Sequence, residues 1–265
     1  MKRTGNTILI TGGGSGIGQA LAQRFHDRGN HVIVAGRRQE ALDATVAGRP
    51  NMTTLHFDVD DKTGLGDWVA RVVAEFPALN VLVNNAGIMR MEDVGSARDL
   101  SDAEATIETN LLGPIRLTDA LVDHLAARPD AAIVNVTSGL AFVPMALAAT
   151  YSATKAALHS YTMSLRTTLA DRIEVIELAP PGVQTDLVPG QKTQANFMTL
   201  DAFADEVMTL FDQQPTPPEI LVQSVKFLRN AEAEGRFDQA LAMVNGAGAS
   251  AKQAGAQAAT ADAGA

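Results

Sequence analysis

A strand that runs directly into a glycine-rich loop and then into a helix constrains the fold of this chain more than any other feature. Residues 7–11 form a short apolar run, and the loop from Gly12 to Gly18 follows it at once. Apolar residues then repeat at helical spacing at Ala20, Leu21 and Phe25. Glycines let the backbone approach a ligand, and the first N–H groups of a helix attract a pyrophosphate. The pattern favours a dinucleotide site over its alternative, a flexible loop.

Further apolar strand segments alternate with helical segments along the chain. The sequence predicts them at residues 31–35, 53–59, 81–83, 131–137 and 173–178. Such alternation is typical of βαβ units in a parallel sheet, where ligands bind at the carboxyl ends of the strands. We therefore predict one α/β domain over residues 1–245.

The end of the second predicted strand indicates which dinucleotide is bound. An acidic residue at this position usually holds the ribose 2′-hydroxyl of NAD, but here the residue is Gly36, followed by Arg37 and Arg38. Without a carboxylate to repel a 2′-phosphate, and with guanidinium groups to bind it, NADP(H) is favoured over NAD(H). The alternative is a pair of solvated arginines at the start of the next helix.

Tyr151 and Lys155 are spaced to face one cleft from a single helix, because residues four apart lie on the same helical face. A nearby ammonium favours the phenolate, so we expect Lys155 to lower the pKa of Tyr151 from its ordinary value of about 10. The alternative is a tyrosine packed under the aliphatic part of a lysine.

Asn110 lies within a long predicted helix. Ser101 and Glu104 are spaced as a capping box at its start, and we predict a bend near Gly113 and Pro114. Asn110 is surrounded by apolar neighbours, so it is either a hydrogen-bonded core amide or a residue that holds water.

Composition excludes several classes of function. The 265 residues carry a net charge of −9, which argues against nucleic-acid and anionic-membrane partners. Because the chain has no cysteine, disulfides, thiolate catalysis and thiolate metal sites are excluded. The five histidines lack metal-ligand spacing, so we predict no metal. No apolar run has the length of a signal or transmembrane segment, and we expect a cytoplasmic location.

Two segments near the C-terminus are less regular. Residues 186–215 are rich in Met and Phe and form either a substrate lid or helices that close the core. Residues 246–265 are mostly Ala and Gly, which predicts a disordered tail.

Taken together, these motifs resemble the short-chain dehydrogenase/reductase family from about Thr7 to Thr185. The matching positions are Thr11-Gly12-x-x-x-Gly16-x-Gly18, Asp58, Asn84-Asn85-Ala86-Gly87, Asn110, Ser138, Tyr151-x-x-x-Lys155 and the turn that ends at Thr185. The resemblance implies a single-domain Rossmann fold, a doubly wound parallel sheet of six or seven strands flanked by helices. It also implies reversible hydride transfer between a nicotinamide and a carbonyl or alcohol.

The resemblance assigns roles to individual residues. Tyr151 is the general acid/base, Ser138 binds the reacting oxygen, and Lys155 binds the nicotinamide ribose. Asn110 holds a water that connects Lys155 to solvent. The implied cofactor-binding residues are Gly12, Gly14, Ser15, Gly16, Ile17, Gly18, Arg37, Arg38, Asp58, Val59, Asn85, Ala86, Gly87, Tyr151, Lys155, Pro180, Val183 and Thr185.

The chain departs from the family pattern in two places. Pro181 stands where the family usually has glycine, which resembles the DltE-like subgroup. Residues 235–245 have a helical pattern where the family commonly has a seventh strand and a glycine-rich end.

We therefore predict an NADP(H)-dependent carbonyl reductase or alcohol dehydrogenase, acting on an apolar ketone or aldehyde. The residues expected to line the substrate pocket are Phe142, Val143, Met145, Leu147, Met89 and Met91. We expect a homodimer or homotetramer that pairs through the helices carrying Asn110 and Tyr151. The alternatives are a catalytically silent NADP(H)-binding sensor or partner protein, and an epimerase or dehydratase on the same fold.

Overall fold

Seven parallel strands form one sheet in the computed structural model, which describes residues 1–246. The strands are β1 (Thr7–Thr11), β2 (His31–Gly36), β3 (Met52–His56), β4 (Leu79–Asn84), β5 (Ala132–Val136), β6 (Glu174–Leu178) and β7 (Glu219–Ile220). Their order across the sheet is β3-β2-β1-β4-β5-β6-β7. This order confirms the predicted doubly wound sheet, because the chain builds one half outward from β1 and then returns to build the other.

Helices cover both faces of the sheet. They are α1 (Gly16–Asp27), α2 (Gln39–Val46), α3 (Leu65–Glu75), α4 (Ser101–Ile107), α5 (Gly113–Ala126), α6 (Ala149–Leu169), α7 (Leu200–Phe211) and α8 (Lys226–Arg229). A π-helical turn, Glu108–Leu112, joins α4 to α5, and residues 237–246 are also helical. That last helix agrees with the helical pattern of residues 235–245.

The core consists of two apolar layers, one on each face of the sheet. On one face α1 and α7 pack together, with the rings of Phe25 and Phe211 edge to face at 5.4 Å. On the other face Trp68 of α3, Leu121 of α5 and Leu169 of α6 are buried against the strands. Because both faces are covered, the central strands are largely apolar, with a few buried polar residues such as Asn84 and Asn135.

Local details differ from the sequence-based expectations. Ser101 does not cap α4; its backbone N–H and hydroxyl both donate to Asp99, which lies outside the helix. The irregularity in the long helix is the π-turn, which precedes the predicted bend at Gly113. Ile220 lies in β7 rather than in a helix, and the short helix α8 begins later at Lys226.

The predicted lid, residues 186–215, consists of two different parts. Its second part contains α7, whose Phe203 and Val207 are fully buried in the core. Its first part contains Leu187 and Val188, which pack against the cluster that includes Tyr151. The predicted tail, residues 246–265, lies outside the described residues except for Gly246. Among residues 1–246, no helix is both long enough and apolar enough to span a membrane.

Candidate functional site

The strand ends and the loops that follow them surround a cleft of about 530 Å³. Every predicted cofactor-binding residue lines this cleft, and so does Ser138. Asn110 lies behind its wall. Residues that line the cleft without having been predicted include Ile88, Arg90, Leu187 and Gln191.

The glycine loop lies against the end of β4 so closely that side chains would not fit. A Cβ at Gly12 would be 2.9 Å from the Cα of Ala86, and Gly12 has a φ of +67°. A Cβ at Gly18 would be 2.4 Å from both the Gly12 carbonyl and the Asn85 amide. Thr11 Oγ1 accepts the backbone N–H groups of Asn85 and Ala86 at 3.0 and 3.1 Å. The open loop and the N-terminus of α1 form a cradle that suits a pyrophosphate.

Two arginines follow β2 at the same side of the cleft. Arg37 and Arg38 are exposed and line it, and Arg38 donates to Ser15 Oγ of the glycine loop at 3.1 Å. The last residue of β2 is Gly36, so no carboxylate stands at the strand end, where it would repel a 2′-phosphate. The arrangement suits a phosphate on the adenosine ribose, as the sequence predicted.

Tyr151 and Lys155 lie one turn apart on α6 and are both buried. The Lys155 ammonium lies 5.6 Å from the centre of the Tyr151 ring and donates to the Val136 carbonyl at 2.8 Å. Ser138 follows β5, and its hydroxyl lies near enough to the Tyr151 phenol to influence its pKa. Three residues from two elements therefore converge at one end of the cleft.

Burial dominates the pKa values of this pair. It raises the pKa of Tyr151 to about 12, and the nearby Ser138 hydroxyl offsets only part of that rise. Burial also lowers the pKa of Lys155 to about 8. The expectation that Lys155 lowers the pKa of Tyr151 is therefore wrong for this structure, because removing the phenol from water destabilises the phenolate more than its surroundings stabilise it.

Asn110 is fully buried in the π-turn between α4 and α5. Its side chain accepts the Ile88 N–H and donates to the Ile88 carbonyl, each at 2.8 Å. A Cβ at Gly87 would lie 3.3 Å from the Asn110 oxygen and 3.7 Å from the Lys155 ammonium. Gly87 thus allows Asn110 to lie close behind Lys155, and a π-turn at such a position is frequent at functional sites.

An apolar wall adjoins Tyr151. Met89 and Ala148 are buried against Tyr151, and Leu140, Met145, Leu187 and Val188 pack around this cluster. The sequence predicted Met89 and Met145 here.

Other residues expected in the pocket lie elsewhere. Val143 packs with Ala231 and Ala240 in a separate cluster, and Phe142 lies against His159. Met91 is 54% exposed to solvent. The predictions for Phe142 and Val143 are wrong because both side chains pack in other parts of the molecule, and the prediction for Met91 is wrong because its side chain is largely exposed to solvent.

Comparison with known proteins agrees with this geometry. A family model described as short chain dehydrogenase matches residues 6–196. The chain is 47% identical over 193 residues to the oxidoreductase DltE of Bacillus subtilis, a match that covers 71% of this chain and 75% of that protein. It is 32% identical over 175 residues to the NADP-dependent 3-hydroxy acid dehydrogenase YdfG of Salmonella typhi, covering 65% and 71%. A short chain dehydrogenase from Burkholderia cenocepacia, crystallised with NADP, superposes with a TM-score of 0.76 at 26% identity, covering 92% of this chain and 98% of that one.

Proposed function

Because the chain belongs to the short-chain dehydrogenase family, we propose that it is an NADP(H)-dependent oxidoreductase that interconverts a carbonyl and an alcohol. The observation that carries the proposal is the convergence of Ser138, Tyr151 and Lys155 at one end of the cleft that the glycine loop lines. A dinucleotide site alone would not require a phenol and a hydroxyl close together beside it. The NADP dependence of YdfG and the NADP in the Burkholderia structure support the choice of cofactor.

The cleft fits a nicotinamide dinucleotide phosphate. The glycine loop and the N-terminus of α1 would hold the pyrophosphate, because a Cβ at Gly12 or Gly18 would fill that space. Arg37 and Arg38 would hold the 2′-phosphate, and Asp58, which also lines the cleft, would contact the adenine. When bound, the nicotinamide gives or accepts the hydride.

Residues of the protein then bind the substrate oxygen and transfer the proton. Ser138 binds the carbonyl oxygen and Tyr151 protonates it as negative charge develops, since preorganised donors stabilise an oxyanion. A phenol whose burial raises its pKa to about 12 is protonated at neutral pH. We therefore propose carbonyl reduction as the direction that needs no prior proton loss from Tyr151.

Lys155 and Asn110 support that proton transfer. Lys155 is held by the Val136 carbonyl, and Asn110 is held by both polar backbone groups of Ile88. We propose that Lys155 binds the nicotinamide ribose and that Asn110 connects it to solvent through water. The buried positions of both residues account for their precise orientation.

The wall formed by Met89, Met145 and Leu187 favours an apolar ketone or aldehyde. A second candidate substrate is a 3-oxo acid, which the name of the YdfG relative suggests. Arg90 supports this candidate because it lines the cleft. Its partner Asp102 is exposed and lies 3.4 Å away, so a carboxylate would compete for the guanidinium.

We also propose a homo-oligomer and a mobile lid. Met163 on α6 and Ile107 on α4 are exposed at 50% and 40%, on the helices expected to form the subunit contact. The part of the predicted lid before α7 brings Leu187 to the cleft, so we propose that residues 186–199 close over the substrate. The cytoplasmic location stays a prediction of the sequence.

The test is NADPH oxidation by the purified protein with a panel of apolar ketones, aldehydes and 3-oxo acids, with products identified by NMR. We expect stoichiometric alcohol formation from at least one class. NADPH binding without turnover of any compound would favour the sensor, and product without net nicotinamide consumption would favour the epimerase or dehydratase.

A further inference from the structure

A row of polar side chains crosses the sheet directly behind the catalytic residues. Asn84, Asn135, Glu177 and Glu219 occupy successive paired positions on β4, β5, β6 and β7. Their neighbours on these strands are largely apolar. Glu177 is the member of this row whose carboxyl group has no exposure to solvent.

The two oxygens of Glu177 have different partners. Thr137 Oγ1 donates to Glu177 Oε1 at 2.6 Å, and His159 Nδ1 lies 2.7 Å from Oε2. Burying a carboxylate costs free energy unless such bonds compensate. Asn135, at the paired position on β5, bonds Thr162 of the same helix without any charge. Helix docking alone therefore does not require a carboxylate at residue 177.

These partners belong to the two halves of the catalytic site. Thr137 directly precedes Ser138, whereas His159 lies one turn after Lys155 and two turns after Tyr151 on α6. Glu177 thus connects the strand end that presents Ser138 with the helix that presents the other two residues.

Further contacts hold the His159 ring in place. Its ring packs edge to face on Phe142 at 4.9 Å, and the Arg229 guanidinium lies 4.8 Å from the Phe142 ring centre. Arg229 also binds both oxygens of Glu219 at 2.8 Å. His159, Glu177 and Glu219 bring ligand atoms within 4.8 Å of one another, but protein donors and acceptors already engage these groups. The cluster is therefore a hydrogen-bonded network rather than a metal site.

We infer that Glu177 is a positioning residue, which keeps Ser138 beside Tyr151 at the end of the cleft by linking Thr137 to His159. Its effect on catalysis rests on the proposed function, whereas its effect on the placement of Ser138 beside Tyr151 does not. Thr137 and His159 each form a direct hydrogen bond with Glu177, and none of these three side chains is exposed.

The test uses ¹⁹F NMR of protein labelled with 3-fluorotyrosine. The chain has two tyrosines, so Tyr161→Phe assigns the Tyr151 resonance. Ser138→Ala marks the position of the Tyr151 resonance without the Ser138 hydroxyl. Thr137→Val removes the hydroxyl that reaches Glu177, and we expect it to move the resonance toward the Ser138→Ala position.

Thr162→Val is the matched control. Thr162 is as buried as Thr137 and also links the sheet to α6, but its partner is Asn135 rather than Glu177. The inference predicts that Thr162→Val leaves the Tyr151 resonance in place. An unmoved resonance in Thr137→Val, or an equal shift in the control, would overturn the inference.

Kinetics supply a second readout on whichever carbonyl the wild type reduces. We expect Thr137→Val to lower kcat at least tenfold with unchanged NADPH affinity, and to cause no further loss in a Ser138→Ala background. Losses that multiply in the double variant would show that Thr137 acts independently of Ser138, which contradicts the inference. Wild-type protein without turnover would refute the proposed function, while the NMR result would still decide the role of Glu177.

Discussion

Replacing Lys155 with methionine should change how the stability of the protein depends on pH. Burial lowers the pKa of Lys155 from 10.5 to about 8 in the folded state. Between these values the unfolded chain binds more protons than the folded one, so this residue makes the free energy of unfolding rise with pH. The destabilisation of the folded state by the buried Lys155 ammonium is greatest below pH 8 and vanishes above pH 10.5.

The magnitude follows from the same two pKa values. Each pKa unit corresponds to about 1.4 kcal/mol, so the full cost of the buried ammonium is about 3 kcal/mol. Between pH 7 and pH 10 the linkage relation gives a change of about 2 to 3 kcal/mol. Lys155→Met has a similar length and no charge, so it should lack this contribution.

Urea unfolding followed by circular dichroism at pH 7, 8, 9 and 10 measures the effect. We expect the difference in unfolding free energy between Lys155→Met and wild type to be largest at pH 7 and to shrink by about 2 to 3 kcal/mol by pH 10. Curves that stay parallel over this range would refute the claim that Lys155 is held in a desolvated site.

Three further predictions concern the cleft. Arg37→Gln should weaken NADPH binding about 10- to 100-fold without affecting NADH binding, because a hydrogen bond to a charged group contributes about 1.5–3 kcal/mol. Isothermal titration with both cofactors checks this, and an equal loss of affinity for NADPH and NADH would count against a 2′-phosphate contact. Gly18→Ala should lower NADPH affinity at least tenfold, since its Cβ would lie 2.4 Å from the Gly12 carbonyl, whereas Gly66→Ala, with open space around it, should not. Arg90→Met should raise KM for a 3-oxo acid but not for its methyl ester, and an equal change for both would exclude a carboxylate contact.

The sequence could predict which residues lie around the glycine loop because that part of the cleft depends on local patterns. The strand, the glycine loop and the first turn of α1 are contiguous in the chain, so their chemistry is visible in one stretch. The same is true of Gly36 and Arg37, and of the four-residue spacing between Tyr151 and Lys155. All of these lie around one cleft in the structure.

Features that depend on tertiary packing were not predictable in this way. Leu187 and Val188 reach Tyr151 from an irregular segment that has no periodicity to mark them. The raised pKa of Tyr151 follows from burial, which the spacing to Lys155 does not show. Glu177 and His159 are 18 residues apart in sequence, and only the packing of α6 on β6 brings them together.

The most direct test of the account is kcat for wild type and Tyr151→Phe, measured with NADPH and a reducible carbonyl alongside the NADPH dissociation constant of each. General acid catalysis contributes about 10²- to 10⁴-fold, so we predict a loss of kcat in that range with NADPH affinity unchanged. A Tyr151→Phe protein that reduces the carbonyl at the wild-type rate would contradict the central claim.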